Sequence, residues 1–154
     1  MCLKINNIFS IQKAKSNTTC YKVLLKNKIT GNYVTPFVRE VVPHQCINGK
    51  YPYIASVNPH DLDGINVIIR AFSTEITSGY IHTYADYNDA KYMAYYVAQE
   101  QKTFKGQKDW IGCVCECHIP KGTKYYKGFQ DNGVRHGYAS KQIKIINVEE
   151  VKRF

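Results

Sequence analysis

Cys113, Cys115, Cys117 and His118 place four potential metal ligands within six residues. Zinc sites take their thiolates as C-x2-C pairs on a turn that curls around the ion. Here the spacing is C-x-C-x-C, and the run from Trp110 to Ile119 alternates in the two-residue period of a strand. Thiols on such a strand stand in a line at steps of roughly 6.5–7 Å, with the histidine on the opposite face. One ion is not easily ligated by all three. The reading is a row of core-facing thiols acting as small hydrophobes. No metal and no cofactor are expected.

Two further histidines invite acid–base chemistry. His82 sits in GYIHTY, read as a strand over 79–84, and His136 in the glycine-rich stretch 128–137. A strand imidazole needs a nearby partner to act as a base, and no partner is evident in the sequence. GxGxxG, P-loop, HExxH and GxSxG motifs are absent. Glu149-Glu150 is the one adjacent carboxylate pair, and it lies in what reads as a charged tail, 149–154.

The elements that must position these groups read as follows. TCYKVLLK, 19–26, is a strand, NKITGN a turn, and 33–37 the return arm of a hairpin. Residues 12–18 read as a loop, 43–63 as a long proline-rich surface excursion, and 65–72 as a short apolar strand or helical turn. Ala90, Met93, Ala94, Val97, Ala98 and Gln101 recur on one helical face, predicting a helix over 87–102 capped by Asp86 or Asn88. Tyr92, Tyr95 and Tyr96 flank that face; a stacking platform there would require concentrated positive charge beside it. After Pro120 and a Lys121-Gly122 turn, extended backbone resumes at Thr123. Residues 128–137 read as a glycine-rich excursion and 138–148 as a final strand. The fold class is α+β: one domain over 1–154, a mainly antiparallel curved sheet with the 87–102 helix packed on it.

The formal net charge is +9 and the pI is about 9.2, which favours an anionic partner without demanding one. Locally, 119–147 holds Lys121, Lys124, Lys127, Arg135, Lys141 and Lys144 against Asp131, the candidate nucleic-acid-binding set. The six cysteines, with no charged-then-apolar leader at the start of the chain, predict free thiols in a reducing, cytoplasmic setting. No run is long enough to span a membrane.

MCLKI, TCYKVL, IPKGTKYYKG and YASKQI together resemble a group of small proteins from tailed phages of gut bacteria. That resemblance implies a phage or prophage accessory protein, in the host cytoplasm or associated with the virion. A second resemblance is to the ADP-ribosyltransferase-like fold. Tyr21-Lys22 stands at its first motif, His82-Thr83-Tyr84 at its second and Ser140-Lys141-Gln142 at its third. It implies a nucleotide pocket built from Lys22, His82, Thr83 and Gln142, with Gln142 where the family carries its catalytic glutamate. The leading expectation is a non-enzymatic protein that works through contact with another protein. The alternatives are the degenerate transferase-like pocket and a basic nucleic-acid-binding protein.

Overall fold

The computed structural model describes residues 11–31, 33–34, 56–57, 67–70, 81–104, 106–130 and 134–153. In chain order these form β1 (Gln12–Lys13), β2 (Thr18–Asn27), β3 (Tyr33–Val34), β4 (Ser56–Val57), β5 (Val67–Arg70) and β6 (Ile81–Tyr84). Helix α1 (Tyr87–Phe104) follows, then β7 (Trp110–Ile119), β8 (Lys124–Gln130), β9 (Arg135–Ser140) and β10 (Gln142–Val151). The ten strands make one sheet, ordered β1-β8-β9-β6-β2-β7-β10-β5, with β3 beside β2 and β4 beside β3. Every pairing is antiparallel. The fold is α+β, a curved open sheet carrying, among the described residues, one helix.

The curl is visible where chain neighbours are sheet strangers. β8 and β10 stand five places apart in the sheet. Yet the Lys141 N–H, donating to the Lys124 carbonyl at 3.2 Å, continues the β8–β9 ladder to the residue just before β10, and Gln142, the first residue of β10, donates Nε2 to Thr123 Oγ1 at 3.0 Å. The sheet therefore folds back on itself at this end. On the face away from the helix it encloses Cys20, Leu24, Ile81, Cys113, Cys115, Cys117, Ile119, Ile143 and Ile145. Tyr125 and Tyr138, an edge-to-face pair with centroids 5.8 Å apart, pack against that cluster.

The helix covers the other face. Ala90, Met93, Ala94 and Val97 meet Val23 and Leu25 of β2, Tyr84 of β6, Val114 of β7 and Val151 of β10. Asp86 is the cap: its Oδ1 accepts from the N–H groups of Asn88 at 2.8 Å and Asp89 at 3.1 Å. Gly112 sets how closely the helix sits. A Cβ built there would lie 2.5 Å from the Ala94 carbonyl carbon and overlap its oxygen, so backbone rests on backbone. At the far end Gly106 takes a positive φ of 63°, and the Gln107 N–H closes on the Gln101 carbonyl at 3.0 Å.

β7 follows its expected bounds, and Cys113, Cys115 and Cys117 share the buried face while Val114 faces the helix. The helix runs two residues beyond the expected 102. Four readings are corrected. The loop assigned to 12–18 contributes β1, held because Ala14 exchanges backbone bonds with Thr123 and Gly122. The excursion assigned to 128–137 is largely hairpin: Gly128 pairs with Gly137, Phe129 with His136 and Gln130 with Arg135, so His136 is a strand residue. The single strand assigned to 138–148 is two, broken at Lys141, where the chain passes from β9 to β10. Glu149, Glu150 and Val151 belong to β10 instead of a tail, because Val151 is buried under the helix. The 43–63 excursion lies outside the described residues apart from the short β4. No helix among the described residues is long and apolar enough to cross a membrane.

Candidate functional site

Three strand ends meet below the C-terminal end of α1. The register pairs Lys26 of β2 with Ile111 of β7, and Asn27 with Trp110, while Val151 of β10 pairs with Gly112. Past Asn27 the chain turns tightly. Asn27 Oδ1 accepts from the N–H groups of Ile29 at 2.9 Å and Thr30 at 3.0 Å, an Asx turn. The Lys28 N–H then donates to the Asp109 carbonyl at 2.7 Å, clasping the turn to the segment that enters β7.

Between these ends and the last turns of α1 lies a groove of about 690 Å3, within the usual range of ligand clefts, roughly 300–1,000 Å3. Among the described residues Lys26, Lys28, Lys102, Lys108 and Lys152 line it, against one acid, Glu150. Tyr95 and Trp110 add aromatic surface, and both also pack against the apolar cluster under the helix. Glu150 is shared: Lys26 Nζ lies 3.1 Å from one carboxylate oxygen and Lys152 Nζ 3.9 Å from the other. That hydrogen bond holds the Lys26 ammonium above its usual pKa. No described ion pair engages Lys28, Lys102 or Lys108. Lys102, in the last turn, also offsets the partial negative charge of the helix C-terminus. The result is a concave surface of fixed positive charge with aromatic walls.

The opposite end of the helix has the reverse sign. A smaller recess there is lined by Tyr21, Tyr87, Glu116 and Glu149, and Tyr87 Oη donates to Glu149 Oε2 at 2.7 Å. That bond raises the Tyr87 pKa.

The four residues of the transferase-like pocket are placed as follows. Lys22 is 2% exposed, on the face away from the helix, between Cys20 and Leu24 and opposite Cys115. Its Nζ donates to the His82 carbonyl at 3.0 Å. Burial pushes its pKa down to about 8. Strand alternation puts Thr83 on that same face with Ile81, whereas the His82 side chain shares the helix side with Tyr84. Gln142 is spent on Thr123 at the mouth of the curl. The structure brings Lys22 and Thr83 into one buried face, meets His82 through its backbone, and directs Gln142 elsewhere. Neither cleft described above is lined by any of the four.

The six basic residues of 119–147 are dispersed. Arg135 lies 3.5 Å from Asp89 and 4.8 Å above the Tyr92 ring. Lys127 shares the face of its partner Tyr138, while Lys144, between Ile143 and Ile145, points to the other side of the sheet. Lys121 and Lys124 are exposed at the β7–β8 turn, and Lys141 is the half-buried break between β9 and β10.

The thiols of β7 are closed off: Cys113, Cys115 and Cys117 are fully buried, and burial drives Cys113 up to about 12 and the other two upward as well. Among the described residues no group of three or more His, Cys, Asp or Glu is arranged to hold a metal ion.

No protein-family model, curated protein or solved structure matches the chain. The phage-protein and ADP-ribosyltransferase-like resemblances therefore stand on their short motifs alone.

The groove escaped the sequence reading because its lysines are never neighbours. They come from the end of β2, the end of α1, the segment before β7 and the residue after β10. The available signal was positional: each lies at or just beyond the end of an element, and antiparallel pairing gathers such ends.

Proposed function

We propose that the protein acts by binding and not by catalysis, and that its partner is an anionic polymer held in the groove below the C-terminal end of α1. One observation carries this: among the described residues five lysines and one glutamate line a single concavity, and three of the lysines are engaged by no described ion pair. The overall charge of +9 acts in the same direction, steering an anion towards the surface before it docks. Lysine suits this role, since a flexible ammonium contacts phosphates as a point charge without demanding bidentate geometry.

The test is anisotropy of labelled polyanions across a salt series. Binding through three or four lysines gives a log–log slope of roughly −2 to −3 for a single strand. Replacing Lys28, Lys102 and Lys108 together with glutamine flattens that slope. Retention of the slope in the triple variant would remove the groove from consideration.

A second reading, docking of another protein, is favoured by the outer surface of α1. Tyr92 and Tyr96 are exposed and stacked, with centroids 6.3 Å apart, and Arg135 lies over Tyr92. Tyrosine and arginine are enriched at interfaces. Tyr92→Ser with Tyr96→Ser abolishes capture of such a partner while leaving polyanion binding unchanged, which separates the two surfaces.

A further inference from the structure

We infer that the anionic polymer is a single-stranded nucleic acid, with a base laid against Trp110 and the phosphates on Lys28, Lys102 and Lys108. This rests on the groove reading above and adds to it the chemical class of the partner. Two features of the groove select it.

The first is shape. The cationic surface is a concavity between the end of a helix and the ends of three strands. A duplex is read by elements that protrude into its grooves, and it hides its base faces in the stack. A recess of about 690 Å3 offers nothing that projects into a duplex. It does admit the splayed bases of a single strand.

The second is the mixture of side chains. An anion-exchange surface needs only charge. Here Tyr95 and Trp110 open into the same concavity as the lysines while their remaining surface is anchored in the apolar cluster under the helix. An aromatic held on one side and open on the other is what stacking on a base requires, and every base has a face to offer. Trp110 is further fixed by its strand, since β7 begins with it and pairs it with Asn27. The ring therefore does not have to be ordered when the ligand arrives. The lysines have the complementary freedom: Lys28, Lys102 and Lys108 are exposed, so they adjust to the irregular backbone of a strand.

Trp110 is the one tryptophan in the chain, so intrinsic fluorescence reports on the site without a label. The experiment titrates the full chain, at low and at moderate salt, with a short homothymidine strand, the matching thymidine–adenosine duplex and inorganic polyphosphate, with anisotropy as a parallel readout. The expected result is strong quenching by the strand, with affinity for it roughly tenfold above that for the duplex or polyphosphate, and loss of that margin in Trp110→Leu. Because Trp110 also packs against the core, Gln99→Trp in a Trp110→Phe background serves as a second reporter in the same groove. Equal affinity for all three probes, with no dependence on the ring at 110, overturns the single-strand inference and leaves the anion groove standing. Absence of binding to every probe overturns both.

Discussion

Lys22 Nζ donates to the His82 carbonyl oxygen at 3.0 Å from inside a face made mainly of thiol, aliphatic and tyrosine side chains. An ammonium there is taken out of water, and its pKa falls to about 8 from 10.5. The folded value lies below the unfolded one. Between those two pH values the unfolded chain holds a proton that the folded chain has released, so this group makes stability rise with pH. Comparing urea midpoints of the wild type and Lys22→Met isolates it: the wild type gains on the order of 2 kcal/mol relative to the variant from pH 8 to 10.5. Parallel pH profiles would refute this account of Lys22.

The thiols work in the opposite sense. Cys113, Cys115 and Cys117 are all held above the ordinary 9.0 by burial. Above pH 9 the unfolded chain loses thiol protons that the folded chain keeps, so their contribution to stability declines. The same burial makes them slow to react. Alkylation followed by peptide mass mapping should leave these three and Cys20 unmodified in native buffer and modify all four in concentrated urea. Rapid native labelling of any of them would show that the sheet opens locally.

Gly112→Ala places a methyl where the Ala94 backbone already is. No rotamer relieves that overlap, so the helix must lift from β7. A loss of roughly 1–3 kcal/mol is expected, as for overpacked cores, read as a lower thermal midpoint. Gly122→Ala provides the contrast. Its Cβ meets no atom within 4 Å, and its cost is the backbone term of a positive φ of 88°.

Much of this packing was legible beforehand. The alternation around the cysteines located β7, the spacing of Ala90, Met93, Ala94 and Val97 located the helix, and Asp86 was one of two named caps. Those are local signals: a period, a cap, a proline stop. The curl of the sheet was not legible, because it depends on β10 following β9 after one residue yet lying four places away in the sheet, so that Gln142 meets Thr123. A glycine-rich sequence such as 128–137 reads as an excursion until its register against a partner strand is known. The groove is the extreme case. Lys26 and Glu150 form a contact across 124 positions, and the charged run around Glu150 does not say which distant lysine it meets.

Glu150→Gln removes the one carboxylate that lines the groove among the described residues and releases both Lys26 and Lys152. Affinity for a polyanion should rise roughly two- to fivefold, the scale of one exposed ion pair, with a steeper salt slope. Weaker binding would mean that the carboxylate orders the lysines more than it competes with the ligand.

Asp86→Ala should destabilise the protein by about 1 kcal/mol, since two N–H groups lose their acceptor. Asn88→Ala should have a smaller effect. Chemical denaturation of the two variants side by side decides between them.

The pairing of Lys26 with Glu150 also ties the groove to the docking of β10. β2 and the helix are translated long before β10, so a nascent chain carries Lys26, Lys28, Lys102 and Lys108 as scattered cations with no concavity between them. The groove closes only when the last strand docks beside β7. On the proposed reading, polyanion capture requires β10 to be docked beside β7, and retention on an immobilised polyanion would separate molecules in which it is docked from those in which it is not.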